Sequence, residues 1–173
     1  LFFLMIRRPP RSKLDRSSAA SDVYKSQALD CLYKFMPPPF RLEKILNKPY
    51  IYNDSKSTSP GATAKALDSF DKKIYLIMGG KDKNLDYMSI KKIIKRKVKK
   101  LFLYGENKFK ISKYLNDINY EICVDLKSAV QNSIDHAKPN DIVLFSPGTS
   151  SFDQFKSYIE RGKSFNSYVR QFT

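Results

Sequence analysis

Two short stretches concentrate the residue types needed to bind an anion. Asn53-Asp54-Ser55-Lys56-Ser57-Thr58-Ser59-Pro60 packs a carboxylate, an ammonium group and several hydroxyls into one turn. Lys56 would supply countercharge to an anionic ligand, and free N–H groups at the start of a following helix would supply donors. The same residues also suit plain helix capping, with Thr58 or Ser59 as the cap and Pro60 in the first turn. Capping alone leaves Asp54 beside Lys56 without a reason. Ser146-Pro147-Gly148-Thr149-Ser150-Ser151-Phe152-Asp153 is built alike, with Ser150 or Ser151 at an expected helix start and Asp153 in its first turn. Its hydroxyl and N–H groups could hold a carboxylate; its other reading is a capped helix with Phe152 and Phe155 in the core. Neither stretch is a P-loop, since no Gly-x-x-x-x-Gly-Lys-Ser/Thr occurs, and Gly79-Gly80-Lys81-Asp82-Lys83 is too short to replace one.

The elements that must position these loops alternate along the chain. Tyr50-Ile51-Tyr52 predicts a strand and Ala62 to Phe70 a helix; Lys73 to Met78 is an apolar run closed by Gly79-Gly80, the pattern of a buried parallel strand. Ile90, Ile93, Ile94 and Val98 give a helical face, Lys100 to Tyr104 a strand, Ile111, Tyr114, Leu115 and Ile118 another helix, and Glu121 to Val124 a third strand. Leu126 to Ala137 carries a helical stripe stopped at Lys138-Pro139-Asn140, and Asp141 to Phe145 predicts the next strand. Phe152, Phe155 and Ile159, then Phe165, Tyr168, Val169 and Phe172, predict one broken or two consecutive helices around Arg161-Gly162. Repeated βα order predicts a three-layer αβα sandwich with a mostly parallel, Rossmann-like sheet. Ligands in such sheets bind at the carboxyl ends of strands, which nominates Asn53 to Pro60, Gly79 to Asp86, Gly105-Glu106-Asn107 and Ser146 to Asp153.

At 173 residues and 42% apolar, the chain has room for one domain with a sizeable core. Its net charge of +15 attracts anions without ranking them. The densest basic run, Lys91 to Lys100, is nearly all Lys, whereas base and phosphate recognition favours the planar fork of Arg. We therefore read the run as a solvated helix face, with no nucleic-acid partner. Cys31, Cys123 and the single His136 have no metal-ligand spacing, so no metal site and no disulfide framework is expected, and a reducing cytoplasm is the default location. Cys123, inside Glu121-Ile122-Cys123-Val124, is read as a small core residue. Leu1 to Ile6 is too short to cross a bilayer. Residues 1–27 lack periodicity and look like translated adapter sequence, Ser18 to Lys25 above all, and are expected to be non-native. Their six basic and two acidic residues leave +11 on residues 28–173. Ala28 to Phe35 reads as a helix end broken by Pro37-Pro38-Pro39.

Taken in order, Phe40-Arg41-Leu42-Glu43, the Asn53 to Thr58 loop with Ala62-Thr63, Gly79-Gly80-x-Asp82-Lys83, Leu144 to Pro147, Ser151 to Lys156 and Glu160-Arg161-Gly162 carry a resemblance. The chain resembles the UDP-N-acetylmuramoyl-L-alanine:D-glutamate ligases of the Mur ligase family, over roughly Ala28 to Phe172. The resemblance implies a three-domain enzyme in which ATP and Mg2+ are held mainly by preceding domains. It further implies that an alanyl carboxylate is activated as an acyl phosphate and attacked by the D-glutamate amine. It implies that residues 28–49 close a central domain and form a linker, and that residues 50–173 are the carboxyl-terminal glutamate-binding domain. It assigns D-glutamate to Lys56, Thr58, Ser151, the Phe152 N–H and the ring of Tyr158, the ATP ribose to Asp54, and the phosphates to Arg41. It further implies UDP-N-acetylmuramoyl-L-alanine as co-substrate, the amino-terminal and central domains as partners in cis, a monomer without membrane insertion, and no catalysis by this piece alone.

Departures from the family pattern are Phe40 in place of a usual His, Ser57 and Ser59, Gly148-Thr149-Ser150, and Asn84 where Gly is common. Two alternatives stay open at this point. One is the closing domain of another Mur or folylpolyglutamate-type ligase, and the other is a non-enzymatic basic binding module.

Overall fold

The computed structural model describes residues 38–173; the expectations for residues 1–27 and for a helix ending at Phe35 lie outside it. Six strands form one sheet in the order β1-β2-β6-β3-β4-β5. They are β1 Glu43–Asn47, β2 Tyr50–Asn53, β3 Ile74–Gly79, β4 Val98–Tyr104, β5 Tyr120–Ile122 and β6 Ile142–Phe145. Only β1 runs antiparallel to its neighbour. The helices are α1 Pro60–Asp68, α2 Lys91–Lys97, α3 Lys108–Tyr114, α4 Leu126–His136 and α5 Tyr158–Phe172.

Two buried clusters, one on each face of the sheet, make the expected αβα sandwich. Because strand side chains alternate, Ile74, Leu76 and Met78 of β3 face α1, α2 and α3, where they meet Leu67, Ile94 and Ile111. Tyr75 and Ile77 face the other way, toward Ala129 and Val130 of α4 and Phe165 and Val169 of α5. Phe145 of β6 stacks on Phe165 with ring centroids 4.5 Å apart. Burying a side chain of this size contributes roughly 1.5–3 kcal/mol, which ties α5 to the strand that carries the Ser146 loop.

Four local expectations are corrected. Glu43–Asn47, read as linker, pairs with β2 as an edge strand. Arg161-Gly162 does not break the last helix: α5 runs unbroken through both residues, capped by Ser157, whose Oγ accepts the Glu160 N–H at 3.1 Å. Ser151 is accordingly not a helix cap. Residues from Ser151 fold into a turn, with the Gln154 and Phe155 N–H groups donating to the Ser151 carbonyl, and Phe152 lies 66% exposed rather than in the core. The spacing of Phe152, Phe155 and Ile159 imitates a helical stripe because a tight turn also brings residues three and four apart together. Finally, β4 starts at Val98, and α3 stops at Tyr114 although Leu115 and Ile118 remain buried beyond its end.

The basic run is largely neutralised by its surroundings. Lys91 and Lys95 share Asp117, Arg96 meets Asp68, Lys99 meets Asp141, and Lys100 meets Glu121. Among the described residues no helix is long and apolar enough to cross a membrane.

Candidate functional site

Strands β2 and β6 are adjacent and parallel, and their last residues, Asn53 and Phe145, are in register. The loops that follow therefore leave the same edge of the sheet side by side. The Asp54 N–H donates to the Phe145 carbonyl at 2.8 Å, and the Gly148 N–H donates to the Ser57 carbonyl at 3.0 Å. The second bond joins the two loops singled out above. Ser59 caps α1, its Oγ accepting the Ala62 N–H at 3.4 Å, with Pro60 in the first turn. Capping is thus real, and Asp54 and Lys56 are free of it.

Asp54 is 5% exposed. One carboxylate oxygen accepts hydrogen bonds from the Ser57 hydroxyl and, at 2.9 Å, from the Ser146 hydroxyl; the other accepts the Leu42 N–H at 3.3 Å. Burial raises its carboxyl above the ordinary aspartate value, and these three donors and the charge of Arg41 pull it partway back. The oxygen bonded to Leu42 keeps acceptor capacity, which suits a ligand hydroxyl. Arg41, Leu42, Asp54, Lys56, Ser57 and Lys65 line a cleft of about 330 Å³. The lining has groups a nucleotide could use, cations for phosphate and a carboxylate for a ribose hydroxyl. Among the described residues there is no group of three or more His, Cys, Asp or Glu able to hold a metal.

Lys56 points across the loop onto α5, its Nζ 3.9 Å from the centroid of the Tyr158 ring. A cation over an aromatic face keeps its charge available to a carboxylate while restricting the lysine's rotamers. Thr58 is exposed, Ser151 is buried at 2% exposure, and Phe152 projects into solvent. The structure thus joins Lys56 to Tyr158, and the Lys56 loop to the Ser146–Ser151 loop. It records no contact of Thr58 or Ser151 side chains with Lys56.

Several residues that hold the site were given no individual role by the sequence, although most lie in the nominated loops. Ser57 and Ser146 satisfy Asp54; Asn53 Nδ2 reaches from β2 to the Gly162 carbonyl at 2.9 Å and Asn166 Oδ1 at 2.6 Å; and the Ser55 hydroxyl donates to the Tyr158 carbonyl at 2.8 Å. Arg161 is fully buried. Its signal was present: Arg161, Phe165 and Val169 recur every four residues, so a cation occupies a position in the buried stripe of α5.

Known proteins resemble this chain in sequence and in fold. A family model described as "Mur ligase, glutamate ligase domain" matches residues 40–149. The chain is 40% identical to the UDP-N-acetylmuramoylalanine--D-glutamate ligase of Caldicellulosiruptor saccharolyticus, covering 83% of this chain and 36% of that protein. It is 42% identical to the ligase of the same name from Aquifex aeolicus, covering 81% of this chain and 35% of that one. The chain therefore spans about a third of the length of these curated relatives. Among solved structures, a pseudomurein peptide ligase type C from Methanothermus fervidus superposes with a TM-score of 0.64 at 18% identity, covering 90% of this chain and 34% of that one, a likeness of fold.

Proposed function

The chain belongs to the Mur ligase family through its glutamate ligase domain, and from that premise we propose that it forms the D-glutamate-binding part of an ATP-dependent ligase acting on UDP-N-acetylmuramoyl-L-alanine. In the reaction, the alanyl carboxylate takes the γ-phosphoryl group of ATP, releasing ADP. The D-glutamate amine then attacks the acyl phosphate, an amide forms, phosphate leaves and the amine gives up a proton. The residues from Glu43 to Thr173, edge strand β1 included, are the glutamate-binding unit of this proposal, and the residues before Glu43 its approach from a central domain. ATP, Mg2+ and the UDP-sugar are held mainly by parts of the enzyme outside this chain, in the cytoplasm.

The chain's own contribution is to bind and orient. Lys56, seated on Tyr158, supplies the positive charge for a glutamate carboxylate. Thr58, Ser151 and the Phe152 N–H supply neutral donors around it, Asp54 accepts from the ATP ribose, and Arg41 meets the phosphates. Approach of the other domains over this edge would exclude water, strengthening those contacts and protecting the acyl phosphate. The observation that carries the proposal is the bond from Gly148 to Ser57, which brings the Lys56 and Ser151 loops together.

The test is a titration of the 15N-labelled chain with D-glutamate and, separately, L-glutamate, followed by NMR. Amide shifts concentrated at Lys56 to Thr58 and Ser151-Phe152, larger for D-glutamate and lost in Lys56→Met, are expected. No shifts at millimolar ligand, or equal shifts in Lys56→Met, would count against the assignment.

A further inference from the structure

Arg161 is 0% exposed, yet among the described residues it takes part in no ion pair. Burying a cation without a countercharge is unfavourable, and it persists where its N–H groups are used in a fixed geometry. Here they bridge two loops. Nε donates to the Ser55 hydroxyl at 3.1 Å, Nη2 to the Ser55 carbonyl at 2.9 Å, and Nη1 to the Thr149 carbonyl at 3.0 Å. The guanidinium also lies 6.0 Å from the centroid of the Phe145 ring. One prong pair thus grips the residue before Lys56, and the third grips the loop that carries Ser151.

The network extends beyond these contacts. The Ser55 hydroxyl donates its own hydrogen bond to the Tyr158 carbonyl at 2.8 Å, so the same side chain ties the Lys56 loop to the start of α5. Thr149 Oγ1 donates to the Lys81 carbonyl at 2.6 Å, and the Lys81 N–H returns a bond to Ser150 at 3.0 Å, which adds the Gly79-Gly80 loop. Space for the guanidinium depends on Gly80: a Cβ there would stand 3.2 Å from Arg161 Nη1 and 2.4 Å from the Ser150 carbonyl. A lysine could not replace the fork, because one ammonium cannot meet three acceptors spread over two loops in a plane.

We propose that Arg161 is a positioning residue, whose guanidinium sets the separation of the Lys56 and Ser151 loops without touching the substrate. What the loops hold rests on the glutamate reading above; that Arg161 fixes their spacing does not.

Amide hydrogen exchange on the 15N-labelled 173-residue chain tests it, with Gly148 as the reporter because its N–H crosses between the loops. In Arg161→Lys, exchange at Gly148 and Ser55 should accelerate about tenfold or more, the factor expected for losing one charge-assisted hydrogen bond. Ile77, Leu103 and Leu144 in the central strands should stay protected, and D-glutamate binding should weaken. Unchanged protection at Gly148, or loss spread equally over the central strands, overturns the proposal and leaves Arg161 an ordinary core residue. Should Arg161→Lys fail to fold, Ser55→Ala removes only the hydroxyl contacts, and a smaller loss confined to the two loops is expected; unchanged loops overturn the proposal. The two readings separate cleanly. Loops loosened by Arg161→Lys in a chain that never responds to D-glutamate uphold the clamp and remove the glutamate site. Glutamate shifts in a variant whose loops stay protected do the reverse.

Discussion

Replacing Gly162 with alanine sets two opposing effects against each other, and the structure decides which wins. Gly162 lies inside α5, where alanine in place of glycine ordinarily stabilises a helix by about 0.8–1.0 kcal/mol. The added methyl would fall 2.5 Å from Cδ1 of Phe40, 2.7 Å from Cγ and 2.9 Å from Cε1. Carbon atoms rest at about 3.5–4.0 Å, so ring or helix must retreat by roughly 1 Å. Phe40 has little freedom to do so. It is 7% exposed, its backbone sits at φ 61°, its carbonyl accepts the Lys56 N–H at 3.0 Å, and its own N–H donates to Glu43 at 2.9 Å. Overpacking of this kind costs about 1–3 kcal/mol, and driving the ring into water forfeits a similar amount. Gly162→Ala should therefore destabilise by about 1–2 kcal/mol, a fall in Tm of about 3–8 °C for a domain of this size. In a Phe40→Ala background the obstacle is gone, and the same substitution should stabilise by up to about 1 kcal/mol. Urea unfolding followed by circular dichroism, with tyrosine emission as the second probe because the chain has no tryptophan, gives the double-mutant cycle. A Gly162→Ala midpoint above the parent, or the same sign in both backgrounds, would refute the reasoning.

Three further outcomes follow from the same structure. Burial raises the Asp54 carboxyl, so the stability it contributes is complete below its unfolded value near 3.8 and is lost as pH rises through the higher folded value. The stability difference between Asp54→Asn and the parent should accordingly move in favour of the variant as pH rises through that window, as read by denaturant unfolding at several pH values; a flat difference would contradict it. Burial likewise pushes the Cys123 thiol up to about 11, and in a Cys31→Ser chain near neutral pH a thiol reagent should modify it only at the rate of unfolding, as followed by mass spectrometry. Asp117→Ala frees Lys91 and Lys95; because the pairs are surface-exposed, the unfolding midpoint should barely move, while retention on a polyanion column should rise and remain salt-sensitive.

The alternation of apolar runs with Gly and Pro was enough to foresee a parallel sheet covered on both faces, because strand and helix periods are written in windows of a few residues. The strand ends at Asn53 and Phe145 and the cap at Ser59 are local in the same sense. The loops at the carboxyl edge were legible for a related reason: Asp54 and Lys56 stand two positions apart, and capping could not use them. Edge strand β1 was not, since Glu43 to Asn47 has no alternation of its own and owes its conformation to pairing with β2. Nor was the unbroken course of α5 through Gly162, where a missing side chain makes room for a ring 122 positions earlier in the chain, Phe40 to Gly162. Arg161 shows the division most clearly. The amino-acid order alone put a cation on a buried stripe, but its acceptors on Ser55 are 106 residues away. Contacts of that separation leave no periodic trace, because they exist only once the sheet has brought two loop ends to the same edge.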